Sequence, residues 1–376
     1  MTEIDRSAAM TKPTAAAISN LAWALIPKLQ DGSGPTKSVF FSPLSIVVAL
    51  GMLTGAADAE TKRILLSKLG VENDKDLQDI SGLATTEGSS SSSSLSVANA
   101  IFADQTITLF DAYKAFLAGF HADFVQYPNL AEEVEKINSW ISDHTHGLIQ
   151  NMLSQAALRQ SHVVIVNALA FKGSWETEFD EKYTRSVPFH LNDKEQRFVR
   201  MMYLQQRMIW CRSTSSYDAV RLPYGTPGAS SNQTSMVAYL PKIGSSIGQV
   251  IQVIQKEGVK PLDEVFSKTK YHQFGFPRFE ITGEYSLKAS LRELGFPVDK
   301  NFPNMGTGDS LVQEVVHKAF IQVDEKGTTA AAATAVLMTR SRPVDPRILV
   351  FDRPFIFSIM LNDSGASVFS GLYYGD

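Results

Sequence analysis

The run HVVIVNALAFKGSW, His162 to Trp175, limits what this chain can fold into more than any other stretch. Its residues are apolar and β-branched at successive positions, not at alternate ones. That pattern marks a strand buried on both faces, and such a strand needs a covering layer on each side of its sheet. Helical patterns that could supply the layers open the chain. They are AAAISNLAWALIPKL (Ala15 to Leu29), SPLSIVVALGMLTGAA, and DAETKRILLSKLG. In the second, Ser42 can cap and Pro43 suits the first helical position; the third has Asp58 at its start and Gly70 at its end. From Asp74 to Leu95 the pattern fades, and a Ser-rich surface loop is expected at about 85–95.

Further helices are expected at FDAYKAFLAGFHADF, from Ala131 onward, at SIGQVIQVIQKEG and at YSLKASLRELG. LSVANAIFADQTITL reads as a strand. After Trp175 the chain turns to strands and hairpins: SVPFHL, QRFVRMMY, RMIWCRS, YDAVRLPY, SMVAYLP, FGFPRFEITGEY and three short strands at the end. No interdomain linker or repeat interrupts the order, so residues 1–376 are expected to form one mixed α/β domain.

Composition narrows the function. A formal net charge of -4 gives no reason to expect nucleic acid or an anionic membrane as partner. The longest apolar stretch, from Ser45, is too short to span a bilayer. The single cysteine, Cys211, forbids an intrachain disulfide and suits a reducing compartment. Motifs of enzyme chemistry fail on context. The GDSL at Gly308–Leu311 stands late in the chain and off any strand-to-helix turn, and HTH at His144–His146 lacks further ligands at metal spacing. No catalytic residues, metal site or cofactor are expected. The sequons at Asn232 and Asn362 are read as chance occurrences.

One segment has no structural excuse. Between the strand-like KAFIQV and the tract TRSRPVDPR lies GTTAAAATA, Gly327 to Ala335. A connection this long without core periodicity is uncommon in a compact domain and is usually functional. Gly327 is a permissive pivot, and the small residues after it could enter a gap in a packed sheet without collision. Arg340, Ser341 and Arg342, stiffened by Pro343 and Pro346, form an exposed, protease-attractive stretch.

These features together resemble the serpins, the serine protease inhibitor superfamily, over nearly the whole length. VFFSPLSIVVALGML is similar to the family's second-helix segment, VNALAFKGSWETEF to the third strand of its central sheet, and VVHKAFIQVDEKGTTAAAATA to the fifth strand with its hinge. FDRPFIFSI is similar to the strand after the loop. The resemblance implies three β-sheets, eight to nine helices and an exposed reactive-centre loop at about 327–349. It implies an inhibitor and not an enzyme: a serine protease attacks the loop, forms a covalent acyl complex, and is trapped when the cleaved loop inserts into the central sheet.

It also assigns roles. Glu325, Gly327, Thr328, Thr329, Ala330, Ala331 and Ala332 match the hinge, with Thr328, Ala330, Ala332 and Thr334 sharing the inward face of the inserted strand. Trp175, Arg278 and Glu325 match the point of entry, where a Glu325–Arg278 pair with Trp175 stacked nearby would form a gate. Ser42, Ser45, Asn167 and His317 match a polar cluster where strands must part. The scissile bond falls at Arg340, Ser341 or Arg342. An Arg there, favoured here, suits trypsin-like targets; Ser341, Leu337 or Met338 would suit elastase- or chymotrypsin-like ones.

The Ser-rich loop stands where many serpins carry a fourth helix, so heparin activation through that site is not expected. A monomer is expected. The N-terminus lacks a signal-peptide pattern, so the chain resembles the ovalbumin-type branch. A cytoplasmic location is expected, with export by an unconventional route left open. The alternative is a non-inhibitory serpin with a storage, carrier or chaperone role. Such relatives tend to carry bulky, charged or proline residues in the hinge, and this chain does not.

Overall fold

The computed structural model describes residues 12–33, 36–85, 93–159, 161–226, 233–308, 311–328 and 347–376. The chain opens with α1 (Lys12–Ser33), β1 (Val39–Phe41), α2 (Pro43–Ala56), α3 (Ala59–Leu69) and α4 (Asp74–Thr85). Next come β2 (Ser93–Asp104), β3 (Thr108–Leu109), α5 (Asp111–Ala118), β4 (Asp123–Tyr127), α6 (Val134–His144), the single turn α7 (Gln155–Leu158) and β5 (Val163–Ser174). The strand-rich part follows: β6 (Arg185–His190), β7 (Gln196–Ser213), β8 (Tyr217–Pro223) and β9 (Thr234–Pro241), then α8 (Ile247–Glu257), the turn α9 (Leu262–Val265) and β10 (Ser267–Ser286). The chain closes with α10 (Lys288–Glu293), β11 (Gly306–Thr307), β12 (Glu314–Val323), β13 (Gly327–Thr328), β14 (Ile348–Val350), β15 (Phe355–Leu361) and β16 (Ser367–Tyr373).

The local chemistry explains the leading helices. Ser42 caps α2 by accepting the Ser45 N–H, Pro43 occupies its first turn, and nearly every residue of the helix is buried, as suits a helix apolar all round. Asp58 caps α3 through the Thr61 N–H at 2.7 Å, and Gly70, at φ +66°, ends it in the left-handed conformation.

Three expectations change. Residues 74–85 are a helix and not the start of a loop. Leu77, Ile80 and Ser81 bury a narrow stripe, and Ser81 Oγ donates to Phe120 O at 2.6 Å. Two large apolar residues on that stripe are too few to stand out against its aspartates. The Ser-rich stretch is also shorter than expected, because Ser93 and Ser94 already pair with β5; residues 86–92 lie outside the described residues. QRFVRMMY and RMIWCRS are one strand of 18 residues, β7, with no turn between them.

That length matters, because β7 and β10 each run through two sheets. The central sheet is ordered β4-β2-β5-β12-β10; a second is β6-β7-β10-β14; the third continues β7-β8-β9-β15-β16-β1. The expected three sheets are thus fused through shared strands, with a separate ribbon of β3 and β11. β5 is buried along its whole length except Lys172 and Ser174. One face of it packs on the main core with α2, the other on a smaller core under α6.

An aromatic stack braces β1, β15 and β16 within the third sheet, and Phe279 of β10 packs on Phe357 at 5.2 Å to join that sheet to the central one. The Phe40 ring stacks on Phe369 at 5.2 Å and on Phe357 at 5.9 Å, all three fully buried. Phe40→Ala is expected to cost about 3–5 kcal/mol in denaturant unfolding; a loss below ~1 kcal/mol would mean that this stack is not a structural joint.

Candidate functional site

The site begins with an unusual neighbour relation. β5 and β12 run parallel and pair directly, from Val164 with Glu314 to Ala170 with Phe320. Every other ladder in the central sheet except β2–β4 is antiparallel. Past Val323 the chain reverses in a tight turn: the Asp324 N–H donates to Gly327 O at 2.8 Å, and the Asp324 carboxylate accepts the N–H of Lys326 and Gly327. The chain then pairs back antiparallel as β13, Gly327 with Ser174 and Thr328 with Gly173. Gly327 and Thr328 therefore lie beside the end of β5 at the edge of the seam. Gly327 sits at φ +145°, and a Cβ there would lie 2.1 Å from Gly173 O, so only glycine fits.

Around the turn, two of the residues expected at the point of entry, Glu325 and Arg278, meet. Glu325 is 3% exposed, and Arg278 reaches it at 3.4 Å from a half-open position. The Thr184 hydroxyl donates to the other Glu325 oxygen at 2.7 Å, and Glu325 O accepts the Phe179 N–H. Trp175 stands against the turn that carries Glu325. Its ring stacks on Tyr224 (4.5 Å, 14°), while its Nε1–H donates to Asp324 O at 2.9 Å. It thereby holds the turn in place beside the Glu325–Arg278 pair. Tyr224 is the residue that sequence reasoning missed. It is fully buried, burial pushes its phenol up so that it stays neutral, and its hydroxyl meets Thr328 Oγ1 at 3.0 Å. Thr328 is itself fully buried.

Lower on the same seam, the four polar residues expected together are together. The Ser42 N–H donates to His317 Nε2 at 2.9 Å, so that nitrogen is unprotonated. The proton therefore sits on Nδ1, which donates to Asn167 Oδ1 at 2.8 Å. Ser45 Oγ donates to the same Asn167 oxygen, and Ser42 Oγ donates to Val368 O at 2.7 Å. Asn167 Nδ2 passes the chain on to Asn99 Oδ1 at 2.5 Å, adding β2 to the cluster. Asn99 was not anticipated, since only the β2–β5 register brings it opposite Asn167. The cluster thus ties α2, β2, β5 and β12 with neutral bonds across the seam.

Other expected positions fall elsewhere. Thr329, Ala330, Ala331, Ala332, Thr334, Leu337, Met338, Arg340, Ser341 and Arg342 lie outside the described residues, as do Asn232 and Ser310. Asn362 is buried and accepts the Ser235 hydroxyl at 2.7 Å, which leaves its amide poorly placed for a glycan. His144 stacks on Trp140 at 3.9 Å, and no metal-binding cluster occurs among the described residues. No helix among them is long and apolar enough to cross a membrane.

Comparison with known proteins agrees with this geometry. The family model described as Serpin (serine protease inhibitor) matches residues 16–374. The chain is 30% identical to Serpin B8 of Homo sapiens over 355 residues, covering 90% of this chain and 93% of that protein. It is 30% identical to Leukocyte elastase inhibitor A of Mus musculus over 362 residues, with 90% and 93% covered. Among solved structures, an Arabidopsis serpin in its native stressed conformation superposes with TM-score 0.82 at 26% identity, covering 98% of this chain and 99% of that one. The native thermophilic serpin tengpin gives 0.85 at 24% identity, with 100% and 96% covered.

The buried imidazole makes a pH prediction. Burial holds the folded His317 pKa down to about 3, against an ordinary 6.5. Below pH 6.5 the unfolded chain therefore takes up a proton that the folded chain refuses, so stability falls as pH drops toward 3. The loss from this group is about 2 kcal/mol at pH 5. Melting temperature measured from pH 7.5 to 5 should fall, and His317→Gln should flatten the slope whatever it does to the value at pH 7.5. An equal slope in the variant would contradict the assignment.

Proposed function

The chain belongs to the serpin family, and on that premise we propose that it inhibits serine proteases as a suicide substrate. The target's serine attacks the scissile carbonyl in the loop. The peptide bond breaks, the new amine leaves with a proton, and an ester joins the protease to the N-terminal part of the loop. Residues from Thr328 onward then enter the central sheet and carry the protease away before water can hydrolyse the ester.

The observation that carries this reading is the placement of β13. It points antiparallel into the end of the β5–β12 seam, where two parallel neighbours in the middle of the central sheet face each other. A strand continuing that path would replace one parallel ladder by two antiparallel ones, which are the more stable kind per residue. About ten residues added this way supply net hydrogen bonds at ~0.5–1.5 kcal/mol each, on the order of 10 kcal/mol in all. That is comparable to the stability of a whole domain. GTTAAAATA suits the path, because its residues are small enough to pass the walls built by Trp175 and Tyr224.

The scissile bond is assigned to Arg340 or Arg342 by spacing from Glu325, giving trypsin-like proteases as targets. Ser341, Leu337 or Met338 at that place would give elastase- or chymotrypsin-like ones. The relatives named as elastase inhibitors support a protease target in general. The likeness to uncleaved ovalbumin (TM-score 0.79, 23% identity, 96% of this chain and 100% of that one covered) concerns the fold alone. The hinge composition, not the fold, therefore separates the inhibitory reading from a storage or carrier role. A cytoplasmic location belongs to the same proposal, and a fold that needs no disulfide supports it.

Incubation with trypsin, chymotrypsin and elastase should give, with at least one, a covalent complex that survives boiling in detergent. Mass spectrometry of the released C-terminal peptide then fixes the bond. Thr328→Arg, which forces a long cation against Tyr224, should leave the loop cleavable but turn most of the product from complex into free cleaved chain. Cleavage by all three proteases without any complex would remove the inhibitory reading.

A further inference from the structure

The chain is acidic overall, at -4, yet residues 185–190, 196–213, 267–278 and 347–350 contain arginines and lysines and not one Asp or Glu. These residues are β6, β7, the first part of β10, and β14 with Arg347, and they lie side by side in the second sheet. Residues directly opposed in a ladder point to the same face, as do residues two apart along a strand. One face therefore carries Arg185 and Tyr203, then Gln205 beside Gln273 and Ile348, then Arg207 beside Tyr271.

The details describe a surface built to meet something. The Arg185 guanidinium lies over the Tyr203 ring, 4.5 Å from its centroid, which holds the charge outward on a rigid base. Arg207 is opposite Tyr271, and the charge of Arg347 also acts on that tyrosine. Ile348 is 56% exposed. Among the described residues, Arg185 and Arg207 form no ion pair, whereas Arg212 on β7 and Arg278 on β10 are each matched to a carboxylate. Arginine and tyrosine around an apolar residue is the composition of an interface centre.

Position supplies the partner. β14 is the strand into which the reactive loop returns, and Ile348 stands six residues past Arg342, at most about 20 Å of extended chain. A protease cutting at Arg340–Arg342 would be tethered within that reach of Ile348. We propose that the face is a second contact surface for the attacking protease, and that it docks an acidic patch of that enzyme. The proposal rests on the inhibitory reading for the identity of its partner. Unpaired arginines meeting carboxylates would speed association and make it fall with salt; against a neutral or basic enzyme they would gain nothing.

The test uses two trypsins that share an arginine-directed pocket and differ in surface charge, one anionic and one cationic. Each is taken both active and with its nucleophilic serine replaced by alanine. The variant is Arg185→Glu with Arg207→Glu, its folding checked by melting temperature. The inactive anionic trypsin should bind the unaltered chain at least tenfold more tightly than the variant at low salt. The gap should shrink with added salt, and the cationic enzyme should show none. Equal binding of the anionic enzyme to both chains, or binding to neither, overturns the proposal. So does retention on heparin that the variant loses while trypsin binding stays the same, since the face would then serve a sulfated polymer. If inactive trypsin binding depends on the face but active trypsin yields no covalent complex with either chain, the inhibitory reading fails and the docking surface stands.

Discussion

Between β5 and β12 the central sheet pairs two strands that run in the same direction. Two parallel strands need a long crossover, and here it runs from β5 through the second and third sheets and back to β12. The pairing therefore joins parts of the chain about 150 residues apart, Asn167 with His317 among them. It is also the seam that an added strand could improve, because parallel pairing is the weaker arrangement. On the proposed mechanism, filling this seam would exchange one parallel ladder for two antiparallel ones.

If the seam parts as proposed, the bonds across it have to hold one arrangement and be remade in another. Across it lie Ser42, Ser45, Asn99, Asn167 and His317, all buried and linked by neutral hydrogen bonds. Apolar residues there would pack well but would fix no register. Charged ones would carry a desolvation cost each time the seam moved. Neutral polar groups hold one arrangement while bonded and can be bonded again in another. At the entry end, the same economy appears in the Asp324–Gly327 turn, braced by Trp175 and by buried Glu325.

Much of this was legible in the residues. The double-faced burial of β5 followed from its unbroken apolar run, and the pivot at Gly327 from a lone glycine before small residues. The grouping of Ser42, Ser45, Asn167 and His317 came from family resemblance, since no local pattern links residues so far apart. What escaped reading was long-range geometry. Tyr224 reaches Thr328, and Asn99 reaches Asn167, only through strand registers that sequence spacing does not specify. Helix α4 escaped for a different reason: two apolar residues on its buried face are enough when α2 lies beside it, but too few to show a period.

Inhibition by loop insertion requires the β5–β12 seam to open, so a covalent lock across it should abolish trapping. Val166 and Val316 are register partners in the ladder, at the spacing a disulfide can bridge. In a Cys211→Ser background, Val166→Cys with Val316→Cys gives a lock that can be closed by oxidation and opened by reduction. The measurement is the fraction of protease recovered as covalent complex. The reduced chain should trap the enzyme, and the oxidised chain should be cleaved without trapping it. Equal trapping by both forms would contradict that requirement.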